Sequence, residues 1–338
     1  MTESVCHSLY LYTGLFEPDN DTGEIRAHSL LAARNLAPPL LARFNNGLLY
    51  RFTSGDVCSP EDIRKPDIYR AVAANLGTWH GSLSIATISN KQDLEAPGTN
   101  GTESAHHKTN RPFPNLWSIM QSWIEALPTK TEQENERQRN VQNDYNELYA
   151  QLADSPGLDG KDYVFSHCDL LSGNVIVLQP ESSENGHDGQ CATPKISFID
   201  YEYASPAPAA FDIANHFAEW AGFDCDHSAM PTKSQRREFL THYVRSFRAD
   251  SHPHMSEEEL EKAVDEVYKQ VDIYRGVPGF YWGIWSLIQA QISTIDFDYA
   301  DYAEQRFGEY KGWKAEMDGS RKREGGEMSI REKKWAQE

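Results

Sequence analysis

The sequence predicts an α+β chain in which a small lobe carries a β-sheet and a large lobe is mainly helical. Three observations predict this class: a helix and a hairpin pattern near the start, a cluster of short strand patterns in mid-chain, and mostly helical patterns after Phe211. We therefore divide the chain into a partial first lobe (1–53), a second lobe (54–310) and a charged tail (311–338).

The first lobe is predicted from a helical pattern followed by a hairpin. Residues 24–34 have a partial apolar helical face, which Asn35 ends. Two apolar strand patterns follow at 40–44 and 48–52, separated by Asn45-Asn46-Gly47. An Asn-Gly pair between apolar runs favours a tight hairpin, because both residues tolerate a positive φ.

The second lobe is predicted as helices around a small group of strands. Apolar periodicity and short apolar runs predict helices at 68–80, 116–127 and 131–152 and strands at 163–165, 175–178 and 196–199. Two stretches, 89–112 and 179–194, are insertions too polar to repay the entropy of ordering them. The tail at 311–338 is highly charged, and we expect it to be frayed or disordered.

Composition narrows the classes of function. The 338 residues include 51 acidic and 32 basic side chains, a formal net charge of −19. This charge repels phosphate backbones, so we expect no nucleic-acid partner. No apolar run reaches the roughly 18 residues of a membrane helix and no secretory signal is visible, which predicts a cytoplasmic protein without stable membrane insertion. The five cysteines lack metal-site spacing, and we expect free thiols.

The strongest chemical signal is the segment VFSHCDLLSGNVIV at 164–177. It places His167, Asp169 and Asn174 in the spacing H-x-D-x-x-x-x-N between two apolar strands, and Asp200 ends the next strand. Phosphoryl transfer needs a carboxylate to orient the attacking hydroxyl, and an amide oxygen with a second carboxylate to hold magnesium. The kinase catalytic loop has the same interval, with its metal-binding Asp on a later strand.

The alternative interpretation is that these side chains only form a turn between two strands, as Asp and Asn often do. The downstream Asp200 favours phosphoryl transfer over that alternative. His167 is better explained as a residue that braces the loop than as a base, because Asp169 holds the chemical position.

Three blocks in the same order resemble the choline/ethanolamine kinase family: the loop followed by IDYEY (199–203), FDIANHFAEW (211–220) and the block WGIWSLIQAQISTIDFDY (282–299). The resemblance covers about residues 24–310, apart from the polar insertions. It implies a protein-kinase-like two-lobed fold with an incomplete N-terminal sheet. It also implies ATP- and Mg²⁺-dependent phosphorylation of ethanolamine, with choline as a second acceptor, as the first step of CDP-ethanolamine phospholipid synthesis. The pair Leu170-Leu171, directly after Asp169, resembles the ethanolamine kinases of this family at these positions. A homodimer is compatible with this resemblance.

Carried over by position, the resemblance implies catalytic roles for Asp169, Asn174 and Asp200. Asp169 would be the base, whereas Asn174 and Asp200 would hold magnesium together with Glu202. The family usually has Asn where Cys168 stands, which puts one supporting hydrogen bond in question.

The resemblance also implies an amino-alcohol pocket formed by Glu219, Trp220, Trp282 and Trp285. Trp282 and Trp285 share a helix face, and aromatic rings attract an ammonium group through their quadrupole. Spacing alone is also typical of a core stripe. Asp212 would brace the catalytic loop, and a plain helix N-cap explains its position equally well.

The nucleotide side of the site is less complete in the sequence. Glu24 resembles the helix Glu that pairs with a basic third-strand residue, and Tyr50 and Phe52 lie in the hinge analogue that would meet adenine. Residues 9–12 resemble the third strand, with Tyr10 at the basic position, and no G-x-G-x-x-G loop is seen. We therefore expect an N-terminally short kinase. The alternatives are a non-catalytic pseudokinase or truncated isoform, and an aminoglycoside-type phosphotransferase, which the Trp-x-x-Trp block disfavours.

Overall fold

The computed structural model describes residues 28–44, 47–83, 85, 111–112, 114–179 and 193–338. Besides a helical stretch at 28–32, the α-helices in these residues are α1 (Pro66–Ser82), α2 (Leu116–Glu125), α3 (Glu132–Leu152), α4 (Ala209–Ala218), α5 (Lys233–Phe247), α6 (Glu257–Tyr274), α7 (Val277–Ile292), α8 (Tyr299–Met317), α9 (Ser320–Glu324) and α10 (Ile330–Trp335). The strands are β1 (Leu40–Phe44), β2 (Gly47–Tyr50), β3 (Gly55–Val57), β4 (Val164–Ser166), β5 (Val175–Leu178), β6 (Ile196–Phe198) and β7 (Ser205–Ala207). The predicted α+β class is confirmed.

The described strands form three small sheets. Strands β1 and β2 pair as an antiparallel hairpin with Phe44 opposite Gly47, which confirms the predicted hairpin. Its turn residues, Asn45 and Asn46, lie outside the described residues. Strand β5 lies between β3 and β6, and β4 pairs with β7. Sheets of two or three strands bury little by themselves, so the helices supply most of the core.

The helix predicted at 24–34 is described over residues 28–32. Asn35 ends it as predicted, because its φ of 58° is left-handed. Asparagine tolerates this conformation better than most residues, and it is a common way to end a helix. The chain then enters β1.

Several helices begin where a side chain satisfies the first free backbone N–H groups. Thr131 starts α3, Thr232 starts α5 and Ser256 starts α6, each with a reciprocal capping box three residues later. Such a box satisfies two N–H groups that the helix itself cannot. The helix predicted at 131–152 is therefore α3, with Thr131 as its N-cap residue.

Helices α1 and α5 approach each other closely at two glycines of α1. A Cβ atom on Gly77 would lie 2.3 Å from the carbonyl oxygen of Tyr243, and one on Gly81 would lie 2.4 Å from that of Phe247. Any larger side chain would collide with this backbone. The close approach brings His80 of α1 within hydrogen-bond distance of the Tyr243 hydroxyl.

The expectation of a frayed tail at 311–338 is wrong. Residues 311–317 complete α8, and the helices α9 and α10 follow it. Trp335 is only 4% exposed and Arg331 only 1% exposed. The guanidinium carbon of Arg236 lies 3.8 Å from the centroid of a Trp335 ring. Two buried tryptophans, Trp313 and Trp335, and paired charges fold this segment, although its composition is that of a solvated tail.

Two further expectations concern the chain as a whole. Cys58, Cys168 and Cys225 are free, as expected, and they are buried, whereas Cys6 and Cys191 lie outside the described residues. Within the described part of the chain, none of the helices combines the length and apolar character needed to cross a membrane. Most of the two polar stretches, 89–112 and 179–194, lies outside the description.

Candidate active site

The loop between β4 and β5 brings Asp169 and Asn174 together. Both side chains are buried. The Asn174 amide nitrogen donates to the backbone oxygen of Asp169 at 2.8 Å and to its carboxylate Oδ2 at 3.1 Å. A 3₁₀ turn at Ser172–Asn174 shortens the path between them. The five-residue interval predicted from the sequence therefore produces a direct side-chain contact.

Asp212, from α4, holds the backbone of this loop. Its carboxylate accepts the N–H of His167 at 2.9 Å and that of Cys168 at 2.8 Å, and it lies 3.0 Å from His80 Nε2. The N-cap of α4 is Pro208, so the brace is the correct interpretation of Asp212. Burial works to raise the pKa of this carboxyl, but the hydrogen bond and charge of His80 outweigh it and lower the pKa.

His167 braces the loop, as expected. Its Nε2 lies 3.0 Å from the Ile199 carbonyl oxygen, and its Nδ1 accepts the N–H of Asp169 at 3.3 Å. Burial lowers the pKa of this imidazole, which keeps it neutral. Both ring nitrogens of His167 therefore make hydrogen bonds that stabilise the conformation of the loop.

Two residues of the candidate site adopt the left-handed conformation, one in this loop and one after β6. Cys168 has a φ of 62°, and Asp200, after β6, has a φ of 65°. The backbone oxygen of Cys168 accepts a hydrogen bond from the Asn215 amide at 3.0 Å, and its Sγ lies 3.6 Å from Ser205 Oγ. Non-glycine residues hold this conformation only where the surroundings fix it, which is common at functional sites.

Negative charge is concentrated around Asp169. Burial raises its pKa well above the usual range, and the charges of Glu219, Asp200 and Glu202 raise it further. Among the described residues, no three His, Cys, Asp or Glu side chains converge as a ready-made metal site. Magnesium usually keeps several waters and binds one or two carboxylates together with substrate phosphates. The hard oxygen donors of Asn174, Asp200 and Glu202 fit that mode of binding.

Two tryptophans of helix α7 form an aromatic group with Tyr203 and Tyr299. Trp282 is buried and donates from Nε1 to Asn215 Oδ1 at 2.8 Å, whereas the half-buried Trp285 donates to the Tyr203 hydroxyl at 2.9 Å. The centroids of Trp282 and Trp285 are 5.4 Å apart, and Tyr299 lies 5.7 Å from Trp285. Through Asn215, this group connects to the catalytic loop.

Sequence reasoning assigned no role to Tyr203 or Tyr299. Both lie inside the motif blocks at 199–203 and 282–299, so the signal was present. Only the fold shows that the two tyrosines join the tryptophans.

Glu219 and Trp220 follow α4 and are both buried. Arg306 Nη2 donates to Glu219 Oε1 at 2.9 Å. Burial raises the pKa of Glu219, and the charge of Arg306 opposes that rise. Trp220 donates from Nε1 to His216 Nε2 at 3.2 Å and packs against Tyr69. Its ring contacts therefore differ from those of the Trp282 and Trp285 group.

The predicted nucleotide residues lie in or before the hairpin. Glu24 lies outside the described residues. Tyr50 ends β2, with its ring 5.1 Å from that of His28, and Phe52 is 43% exposed. Their contact with a nucleotide stays a prediction.

The buried Asp169–Asn174 pair, the brace from α4 and the large helical lobe define a protein-kinase-like phosphotransferase. The family model described as choline/ethanolamine kinase matches residues 13–311. The chain therefore belongs to the choline/ethanolamine kinase family. Its members are kinases, which implies ATP as the phosphate donor.

Individual relatives agree with this family. The chain is 31% identical to a probable ethanolamine kinase of Arabidopsis thaliana, over 86% of this chain and 68% of the relative. It is 33% identical to an ethanolamine kinase of Drosophila melanogaster, over 85% of this chain and 50% of the relative. The solved structure of a Plasmodium vivax ethanolamine kinase matches with a TM-score of 0.63 and 25% identity, over 88% of this chain and 73% of that structure.

Proposed function

We propose that the chain transfers phosphate from ATP to the hydroxyl of ethanolamine, with choline as a weaker acceptor and phosphoethanolamine as the product. The observation that carries this proposal is the pairing of Asp169 with Asn174 in a braced loop linked to the aromatic group. The relatives named above as ethanolamine kinases support the choice of acceptor. A cytoplasmic location and a homodimer stay predictions of the sequence.

Asp169 is the proposed base. It accepts the hydroxyl proton as the new bond forms between the acceptor oxygen and the γ-phosphorus, while the bond from that phosphorus to the leaving ADP oxygen breaks. The hydrogen bond from Asn174 fixes the orientation of the carboxylate. Burial, aided by the negative charge of Glu219, raises the pKa of Asp169 and so strengthens its affinity for the proton.

Asn174, Asp200 and Glu202 are the proposed magnesium ligands. Because Asn174 turns its amide nitrogen toward Asp169, its Oδ1 is the atom that would meet a cation. Magnesium would neutralise the charge of the transferred phosphate. Asp200 lies just after β6, and its own left-handed backbone conformation sets its position there.

The ammonium end of the substrate is proposed to lie against the faces of Trp285, Tyr203 and Tyr299, with Trp282 behind them and Glu219 supplying negative charge. A cation over an aromatic face gains about 0.5–2 kcal/mol. Glu24, Tyr50 and Phe52 are proposed to meet the nucleotide. Trp220 is proposed as a pocket residue by its place next to Glu219, and its own ring packs on Tyr69.

The test is magnesium-dependent release of ADP from the purified chain, with ethanolamine and choline offered separately. We expect turnover with ethanolamine, and we expect Asp169→Asn to lower it about 10²–10⁴-fold. Asp154→Asn changes an exposed carboxylate and is the matched control with parental turnover. A folded parent that releases no ADP with either amine would favour the non-catalytic pseudokinase instead.

A further inference from the structure

The helix α10 docks on the helical lobe although it lies beyond residues 13–311, which the family model matches. Arg236 of α5 donates to the backbone oxygen of Trp335 at 2.9 Å. The N–H of Lys233 donates to the Gln337 oxygen at 2.8 Å. These contacts fix the start of α5 to the end of α10.

From α10, a chain of alternating buried charges leads to the proposed substrate pocket. Arg331 Nε lies 3.8 Å from Glu309 Oε2, and Arg306 Nε lies 3.6 Å from the same oxygen. Arg306 then donates from Nη2 to Glu219 at 2.9 Å. All four side chains are buried. Glu219 in turn affects Asp169 through its charge.

The middle of this chain is loosely bonded. Contacts of 3.6 and 3.8 Å are too long for hydrogen bonds. Glu309 Oε2, Arg306 Nε and Arg331 Nε are all buried without a hydrogen-bond partner within the described residues. The other oxygen of Glu309 lies 2.8 Å from His227 Nε2. Glu309 Oε2 is therefore held between two guanidinium groups that attract it from separate helices.

We propose that Arg331 is a positioning residue for the amino-alcohol pocket: by sharing the charge of Glu309, it leaves Arg306 to hold Glu219. The inference rests on the proposed function, in which Glu219 supplies negative charge to the ammonium group of the substrate.

The consequence of losing Arg331 follows from the distances. Arg306 would need to move only about 0.7 Å toward Glu309 to turn a contact into a charge-assisted hydrogen bond. That movement draws Arg306 away from Glu219. A buried carboxylate without its partner is costly, so Glu219 would move or take up a proton. Either change weakens its interaction with the ammonium group.

The experiment measures the Kd of ethanolamine by calorimetry and the KM values of ethanolamine and ATP. Arg331→Met is expected to raise the Kd and KM of ethanolamine roughly tenfold and to leave the KM of ATP unchanged. Adding Glu309→Gln removes the competing carboxylate, so the double variant should return to within about threefold of the parent. Lys333→Met, on the exposed side of α10, is the matched control with parental values.

A purely structural tail would lower the active fraction without changing the Kd of ethanolamine. A parental Kd in Arg331→Met, or no recovery in the double variant, overturns the inference. If Arg331→Met does not fold, Arg331→Lys carries the test: the retained charge should keep the Kd within about threefold of the parent, and a larger rise contradicts the proposal. A parent that binds ethanolamine without releasing ADP disproves the kinase proposal alone, and a parent that does not bind it overturns both.

Discussion

At the scale of single residues, the carboxylate of Asp212 ties three buried groups together. It accepts the N–H groups of His167 and Cys168 and lies within hydrogen-bond distance of His80. None of these groups has access to water, so each would lose its partner if the carboxylate were removed. The backbone conformation of the catalytic loop therefore depends on a side chain from another element.

Asp212→Ala should lower the free energy of unfolding by about 3–5 kcal/mol, because it leaves a set of buried polar groups unpaired. Turnover should be lost as well, since the loop that carries Asp169 loses its brace. Urea denaturation and ADP release measure the two effects. Asp265→Ala removes an exposed pair with Arg237 and should change stability by less than about 0.5 kcal/mol. A loss of only about 1 kcal/mol in Asp212→Ala, the size of an average mutation, would contradict the role of Asp212 as a brace.

The catalytic pair could be predicted from the sequence because Asp169 and Asn174 belong to one short loop. The partner of Glu219 could not, because Arg306 is 87 residues away in the chain. Contacts at such separation depend on how helices pack, which local patterns do not encode. The contacts of Tyr203 and Tyr299 with Trp285 could not be predicted for the same reason.

At the scale of elements, the contact between α1 and α5 requires glycine at two positions one turn apart. The oxygen atoms that would collide with added Cβ atoms belong to the backbone of Tyr243 and Phe247. Backbone cannot rotate out of the way as a flexible side chain can. The position of His80, and with it the brace at Asp212, follows from this close packing.

Gly77→Ala should therefore destabilise the protein by about 1–3 kcal/mol despite the better helix propensity of alanine. Gly308→Ala in α8 is the matched control, because nothing lies within 4 Å of its added Cβ. That control should stabilise the protein by about 1 kcal/mol. Thermal and urea unfolding compare the two variants. Equal effects of the two substitutions would show that α1 and α5 are not in close contact.

The accuracy of prediction differed among the elements for physical reasons. Apolar periodicity located α1, and the strand at Val175–Leu178 has the predicted bounds. The strand β3 was missed because Gly55–Val57 carries no apolar alternation and is defined only by its pairing with β5. The helix α10 was missed because one tryptophan anchors a segment that is otherwise charged.

At the scale of the whole molecule, buried neutral histidines link stability to pH. Burial lowers the pKa of His167 and lowers that of His216 to about 4. A histidine in the unfolded chain titrates near about 6.5. As the pH falls from about 6.5 to 4, His216 binds a proton in the unfolded chain but not in the folded protein, so the free energy of unfolding decreases in that window. Above it, both states hold neutral imidazole and the effect vanishes.

His216→Gln should flatten this dependence. Glutamine keeps a donor for the Leu170 oxygen and an acceptor for Trp220, but it does not titrate. Between about pH 7 and 4, the variant should lose less stability than the parent, by up to roughly 3 kcal/mol. Urea unfolding at several pH values gives both curves. Parallel curves for the parent and the variant would show that His216 takes up its proton equally in both states.

The docking of α10 also determines how this protein can be divided for expression. A fragment cut at residue 311, where the similarity to the family ends, would lack Trp335 and the ring contact that it makes with Phe217. It would also leave Arg236 without the indole beneath it. Newly exposed apolar surface next to unpaired charges favours aggregation. The unit that folds is thus longer than the unit that sequence similarity outlines.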